Sequence, residues 1–373
     1  MRDRRSAEVI PQRRVDACPT VTADGPAASF GRFSTLTIDN PLKPEAIDKQ
    51  LRALPPEYVN QTLSIFRLAH LSDLHLPPPE GAFGWRDVLS KRLLSRIAWR
   101  RKRREHRPEV LAAIVADLKA HAPDHIAITG DLTNFASPAE HEAARLWLEA
   151  LGPAGDITVS PGNHDALVET SVAPFASWTP WLGDARPSEG DETAFPQVRL
   201  RDGVALFNLC SAVPTAPHLA TGRLGEAQLE RLDALLGDPA YRDAFRVVLI
   251  HHPPIPGAVS KRKSLEDQDA LRALLARHGA DLVLHGHAHE AMVATLPGPG
   301  GAAIPVLGVP SASALGEHGH PAARWHGVEI DRQADGGVEV KVVARGLDPD
   351  DGQPTELGRY VLLQAGKPAS GRA

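Results

Sequence analysis

Cysteine is scarce: Cys18 and Cys210 are the two in 373 residues, too few for a disulfide framework and suited to a reducing compartment. Long apolar runs are missing as well. Arg, Asp and Pro interrupt residues 1–25, so that stretch lacks the uninterrupted segment of a signal peptide or a membrane span, and a cytoplasmic protein without a transmembrane helix is expected. Excess positive charge is also lacking. Lys and Arg number 41 against 46 Asp and Glu, a formal net charge of -5 with a pI near 6.4, which argues against holding nucleic acid through overall charge; no nucleic-acid partner is expected. The chain shows neither an internal repeat nor a low-complexity tract. What it does have is apolar content: 42% hydrophobic against 23% charged residues is enough for a sizeable buried core.

Residues 1–62 mix Pro, Gly and charges of both signs without sustained periodicity and read as a poorly patterned N-terminal extension. The domain proper spans 63–346, and 347–373 reads as a C-terminal tail. Within the domain, Phe66–Leu71 predicts a strand, and the apolar spacing from Pro108 to His121 a helix. His125–Ile128 is a second strand. A helix follows Ser137 over Pro138–Leu151, then a short strand at Asp156–Val159. The alternation resumes with strands near Val204–Leu209, Arg246–Ile250 and Asp281–Leu284, and helices over Gly225–Leu236 and Glu266–Arg277. Two hairpins close the domain: Ala291–Leu296 with Ile304–Leu307, and Trp325–Ile330 with Val338–Ala344 across Gly336-Gly337. The class is α/β.

The polar signals sit where strands end. Asp73 and His75 follow the first strand, Gly130-Asp131 the second, and Gly162-Asn163-His164-Asp165 the third; His251 and Gly286-His287-Ala288-His289 follow two later ones. Loops beyond the carboxyl ends of strands gather on one edge of an open α/β sheet, where ligands bind. Carboxylate, imidazole and amide oxygen together suit borderline divalent metals such as Zn, Mn, Fe or Co. For two ligands at i and i+2 to converge the backbone must bend, and Gly286 and Gly162 are the expected permissive positions. Taken singly, each motif is also compatible with an ordinary turn; the order and placement of all five give them weight.

The series Asp73-x-His75, Gly130-Asp131, Gly162-Asn163-His164-Asp165, His251-x-Pro253 and Gly286-His287-x-His289 resembles the calcineurin-like metallophosphoesterase superfamily over roughly residues 66–345. The resemblance implies two facing mixed β-sheets flanked by helices. It also implies two divalent transition metal ions, with Asp73, His75 and His289 on one, Asn163, His251 and His287 on the other, and Asp131 between them. His164 matches the histidine that contacts substrate phosphate or protonates the leaving oxygen, and Asp165 would orient His164. His251 is preferred to His252 as the ligand because the family pattern is His-x-Pro.

Two metals can activate a water and neutralise charge on phosphoryl oxygens, and a histidine, which ordinarily titrates near neutrality, suits the proton transfer to the leaving group. The expected activity is therefore hydrolysis of a small phosphorylated substrate. The spellings around Asp73, Asp131 and His251 look like bacterial members acting on phosphodiesters of the cyclic nucleotide or glycerophosphodiester type. A lipid-linked pyrophosphatase at the membrane surface is the alternative, and a metal-free interaction scaffold the alternative of another class; the complete ligand set separates the scaffold from an enzyme.

The least expected feature is a basic insertion at 84–107. Residues 86–107 hold Arg86, Lys91, Arg92, Arg96, Arg100, Arg101, Lys102, Arg103, Arg104 and Arg107 against Asp87 and Glu105. Trp85, Val88, Leu89, Leu93, Ile97 and Trp99 share about half of a helical projection, interrupted by Arg92 and Arg96. The segment reads as a surface helix packed on the core, or as a lid beside Asp73 and His75 whose residues 85–107 touch an anionic membrane from the cytoplasmic side. His318 and His320 belong to a late loop, His285 to a strand, and Trp147, Trp178, Trp181 and Trp325 to packing.

Overall fold

The computed structural model describes residues 65–84, 91–102, 104–168, 175–184, 195–316, 321–333 and 336–365. The expected extension 1–62, the start of the basic insertion, and His318 and His320 lie outside the described residues. The strands are β1 Phe66–Leu71, β2 His125–Ile128, β3 Ile157–Val159, β4 Gln197–Arg201, β5 Val204–Asn208, β6 Phe245–Leu249, β7 Leu282–His285, β8 Met292–Pro297, β9 Ala303–Gly308, β10 Arg324–Arg332, β11 Val338–Leu347 and β12 Pro354–Ala365. The helices are α1 Lys91–Lys102, α2 Pro108–Ala120, α3 Pro138–Leu151, α4 Thr179–Leu182, α5 Glu226–Gly237 and α6 Gln268–His278.

Period-two alternation sorts each strand's side chains between two cores. In β1, Phe66 and Leu68 join Leu206, Val247, Leu284, Val328 and Val342 in a core built from both sheets, while Ala69 and Leu71 join a second core with Ile114, Leu118 and Leu148 of α2 and α3. β5 splits the same way: Val204 and Leu206 face the intersheet core, and Ala205 and Phe207 a third core that includes Leu232 of α5 and Leu275 of α6. The result is two facing six-stranded mixed sheets, ordered β12-β11-β10-β1-β2-β3 and β4-β5-β6-β7-β9-β8, with helices on both outer faces. Pro108 opens α2, where a missing N–H costs nothing. Ser137 and Glu140 form a reciprocal capping box at the start of α3.

Two strands differ from the sequence reading. The tail expected over 347–373 supplies β12, which pairs antiparallel with β11 and carries two register shifts, at Val340/Lys341 and Ala344/Arg345. Those irregularities break the alternation that would have revealed an edge strand. β4 was not anticipated because only Val198 and Leu200 of its five residues are apolar, and Leu200 is exposed. Gln197 and Arg199 are buried there, Arg199 donating to the carbonyls of Ala154 and Pro180 at 2.5 and 2.8 Å.

The intersheet core also contains histidines. His70 and His326 are register partners on β1 and β10, their ring centroids 6.3 Å apart, and His125 precedes them on β2. His70 and His125 bond the hydroxyls of Thr129 and Thr158 at 2.9 and 2.8 Å. Burial, reinforced by neighbouring cationic groups, lowers all three, His125 and His326 to about 3. Because the folded pKa lies below the unfolded value, the unfolded chain binds more protons than the fold from about pH 6.5 down to about 3, and stability falls with pH across that window. His125 and His326 each cost about 2 kcal/mol at pH 5. Urea titrations of chelator-treated protein at pH 7 and pH 5 should show the loss, and His326→Gln should shrink the difference between the two pH values. An unchanged difference in that variant would place the acid sensitivity elsewhere.

Candidate metal centre

β1, β2 and β3 run parallel in one sheet and β6 and β7 in the other, so their carboxyl ends meet at one edge of the sandwich. Backbone bonds extend the pairing past the strands. Asp73 N–H donates to Gly130 O and His75 N–H to Asp131 O, both at 2.9 Å. The two sheets are stitched at this edge by a parallel bridge from Ser72 to Ser311, with Ala312 N–H donating to Ser72 O at 2.9 Å and Ser311 Oγ to Asp73 O at 2.6 Å.

Here the ligand atoms of Asp73, His75 and His289 lie within 4.8 Å of one another, as do those of Asp131, His251 and His287. Asn163 Oδ1 stands 3.2 Å from His251 Nε2, on the second group. Asp131 faces both groups: its Oδ2 is 4.0 Å from His75 Nε2 and 3.4 Å from His251 Nε2, while Oδ1 accepts the His164 N–H at 2.8 Å. Asp73 Oδ2 accepts the His287 N–H at 3.0 Å; the buried Oδ1 makes no hydrogen bond and lies 3.2 Å from His289 Nε2.

Carbonyl oxygens can only accept, which fixes two tautomers. His251 Nδ1–H donates to Thr129 O at 2.6 Å and His287 Nε2–H to Lys263 O at 2.9 Å. The lone pairs available for a cation are therefore His251 Nε2 and His287 Nδ1. Burial opposes charge on these groups, and the charges answer one another. It keeps His75 and His287 well below the usual imidazole range. It would also raise Asp131, but His251 and His164 outweigh it and hold that carboxyl well below its ordinary value. His251 is pushed up to about 9, since Asp131 and Asp73 overcome its own desolvation. Converging carboxylate, imidazole and amide donors with an orphaned buried oxygen fit two borderline divalent ions.

The bends that allow this convergence are made by the ligand residues. Asp73, His75, Asp131, His287 and His289 have φ of 54°, 46°, 55°, 63° and 57°, a left-handed region that costs a non-glycine residue roughly 1–2 kcal/mol. Gly162 and Gly286 serve a different purpose from the expected one, for they do not have positive φ. They are glycines for room: a Cβ at Gly286 would sit 1.8 Å from Ser72 Oγ, and one at Gly162 2.3 Å from Asp131 Oδ1.

Asp165 also differs from expectation. Its carboxylate does not reach the His164 ring; it accepts the N–H groups of Asp131, Thr133 and Gly162 at 2.8–2.9 Å and so ties the loop after β2 to the loop after β3. Burial and the nearby Asp131 raise its pKa, against the pull of those donors. His164 is oriented instead by Asn134, whose carbonyl accepts from Nδ1 at 3.0 Å. Asn134 is placed in turn by Glu140 of the capping box, which accepts its N–H at 2.9 Å. His252 stays outside both groups, because its ring nitrogens meet Ser211 Oγ at 2.7 Å and Ala220 O at 3.2 Å.

Sequence reasoning missed His106. Buried at the end of the insertion, its ring lies 4.4 Å from that of His75 and 5.7 Å from that of His289, with Nδ1 2.9 Å from Ser313 Oγ. Its one sequence signal was a histidine two residues before the proline that opens α2. The insertion helix α1 also borders the site. A cavity of about 430 Å³ above the ligand groups is lined by Lys91, Ser95 and Trp99 of α1 as well as by His164 and His289.

A family model described as calcineurin-like phosphoesterase matches residues 66–291. Among curated proteins the chain is similar to one named "probable cyclic nucleotide phosphodiesterase" from Synechococcus, 28% identical over 59% of this chain and 77% of the relative. It is also similar to a cAMP/cGMP dual specificity phosphodiesterase of Mycobacterium tuberculosis, 29% identical over 47% of this chain and 52% of the relative. A third is the glycerophosphodiester phosphodiesterase GpdQ of Enterobacter lignolyticus, 29% identical over 47% of this chain and 62% of the relative; the match thus spans little more than half the length of these last two. The chain belongs to the calcineurin-like phosphoesterase family, metal-dependent hydrolases that work with a dinuclear metal centre.

Proposed function

We propose that the chain hydrolyses a small phosphodiester at a centre in which Asp73, His75 and His289 hold one divalent metal and Asn163, His251 and His287 the other. Asp131 would serve both, since its Oδ2 stands between the two groups. That shared oxygen, 4.0 Å from His75 Nε2 and 3.4 Å from His251 Nε2, is the observation that carries the reading. The phosphodiesters named for the relatives, cyclic nucleotides and glycerophosphodiesters, are the substrate types to which it extends. Bound there, the two cations supply water activation at neutral pH and neutralisation of charge on the phosphoryl oxygens.

The chain's own groups do the rest. Asp165, through three backbone N–H bonds, keeps Asp131 in register with Gly162 and is a positioning residue. His164 is held by its backbone at both ends, its N–H on Asp131 Oδ1 and its carbonyl receiving Thr133 Oγ1 at 2.9 Å. With Nδ1 engaged by Asn134, Nε2 is the ring atom left to carry a proton to the leaving oxygen.

Peripheral membrane contact through residues 85–107 rests mainly on side chains outside the described ones, and two of those described are engaged with the domain. Arg92 donates to the carbonyls of Phe135 and Ala136 at 2.9 and 2.8 Å, and the Arg96 guanidinium lies 4.3 Å from the Phe83 ring centroid. The two arginines that interrupt the apolar face thus anchor α1 to the domain. Among the described residues, none of the helices is long and apolar enough to cross a membrane.

Elemental analysis of the purified protein should find two transition-metal equivalents, and Asp131→Asn should lose both metals and more activity than removal of any terminal ligand. Full metal content and activity in that variant would refute the shared-ligand assignment. His164→Ala should lower turnover on cyclic AMP by about 10²–10⁴-fold with metal content retained. The defect should shrink for esters with good leaving groups; equal losses on aryl and alkyl esters would exclude proton donation.

A further inference from the structure

The helix α1 presents Lys91, Ser95 and Trp99 at i, i+4 and i+8, which places them on one helical face. All three line the cavity above the ligand groups. Leu167, Leu219 and Ala220 belong to the same lining, Leu219 next to the start of α1 through its carbonyl. The enclosure is therefore metal-binding at its floor and mixed along its sides, where Trp99, Leu167 and Leu219 supply apolar surface and Arg262 and Lys263 positive charge.

α1 is fixed in this position from two directions. Lys91 Nζ donates to Thr215 Oγ1 at 2.6 Å and to Leu219 O at 2.9 Å, joining the helix to the segment that carries Leu219. Arg92 holds the other side through the carbonyls of Phe135 and Ala136. Trp99 packs against the edge of Phe135, ring centroids 6.0 Å apart and planes at 75°, so an edge contact sets the indole while the residue remains partly exposed at the cavity. The helix is followed by His106, which makes an antiparallel bridge to Ala314 and reaches His75. The insertion is thus continuous from cavity wall to metal site.

We propose that Trp99, with Leu167 and Leu219, forms a subsite for a planar aromatic arm of the substrate, so that α1 selects phosphodiesters bearing a nucleobase over those whose arms are small and polar. This rests on the phosphodiesterase reading and adds to it the residues that choose the substrate. A flat ring between an indole and aliphatic side chains gains from stacking and from water release, which small hydroxylated or amine-bearing arms do not. The volume, about 430 Å³, suits a single small-molecule ligand. Lys91 supports the cavity wall by holding the Leu219 carbonyl and Thr215 against α1 and is a positioning residue.

The test compares wild type, Trp99→Leu and Trp99→Phe on 3′,5′-cyclic AMP and on glycerophosphoethanolamine. Trp99→Leu should raise KM for cyclic AMP by roughly 10-fold or more, as loss of a base–aromatic stack does, with kcat changing less than KM. The ratio of kcat/KM values, cyclic AMP over glycerophosphoethanolamine, should fall by a similar factor, and Trp99→Phe should recover most of it. Equal losses on the two diesters, or no loss on either, would overturn the subsite. Calorimetry on the protein with its resident metals supplies a readout independent of diester cleavage. Adenosine 5′-monophosphate should bind more tightly than inorganic phosphate, and Trp99→Leu should remove most of that difference. Equal binding of the two anions by wild type overturns the subsite even where cyclic AMP is cleaved. Tighter, Trp99-dependent nucleotide binding without cleavage of either diester leaves the subsite standing and defeats the phosphodiesterase reading instead.

Discussion

The Asp131 carboxylate is the point on which the rest of the site depends. Its two oxygens have separate duties, Oδ1 accepting the His164 N–H and Oδ2 facing His75 and His251. A carboxylate buried beside Asp73 and Asp165 is tolerable because imidazoles surround it, and its low pKa records their attraction. Its position is set from behind: Asp165 receives the Asp131 N–H, and the carbonyl of Asp131 receives the N–H of His75. A shift of Asp131 would therefore disturb a ligand on each side and the histidine assigned to proton transfer. That coupling explains why Gly162, whose Cβ would strike Asp131 Oδ1, has to be glycine.

The same centre concentrates backbone strain. Five of the proposed ligands have left-handed φ, together roughly 5–10 kcal/mol at 1–2 kcal/mol each. Such conformations persist only when the surroundings over-determine them, and here they do. β1 and β2 carry their pairing beyond the strand ends, Ser311 fixes Asp73 from the opposite sheet, and Lys263 and Thr129 orient two imidazoles. The donors are thus held by protein–protein bonds, which limits what a cation would have to order.

The legible part of the molecule was the part governed by apolar pattern. β1, β2, β5, β6 and β7 read as short, mostly apolar runs because packed cores lie on both of their faces. Polar residues after strand ends were legible too, since topology sends those loops to one edge. What failed was information held by partners distant in sequence. The roles of Asp165 and Asn134 depend on backbone donors and acceptors that any residue could supply. β12 is masked by register shifts, and β4 by a buried arginine whose acceptors lie 45 and 19 residues away. His106 and Lys91 act across separations of 207 and 124 residues, beyond the reach of any local pattern.

Floor and walls of the cavity are consequently held by different kinds of force. The floor rests on strand pairing, extended ladders and buried carboxylates, where a one-residue change propagates into several ligands at once. The wall formed by α1 rests on side-chain bonds from Lys91 and Arg92 and on the ring contact of Trp99. Such contacts are made by side chains of α1 and lie outside the sheet ladders. Chemistry is therefore fixed by the part of the fold least free to vary, and substrate choice by an inserted helix attached to it. A change of substrate can then arise at α1 and the lining residues it meets, while Asp131 and its neighbours keep the geometry that hydrolysis requires.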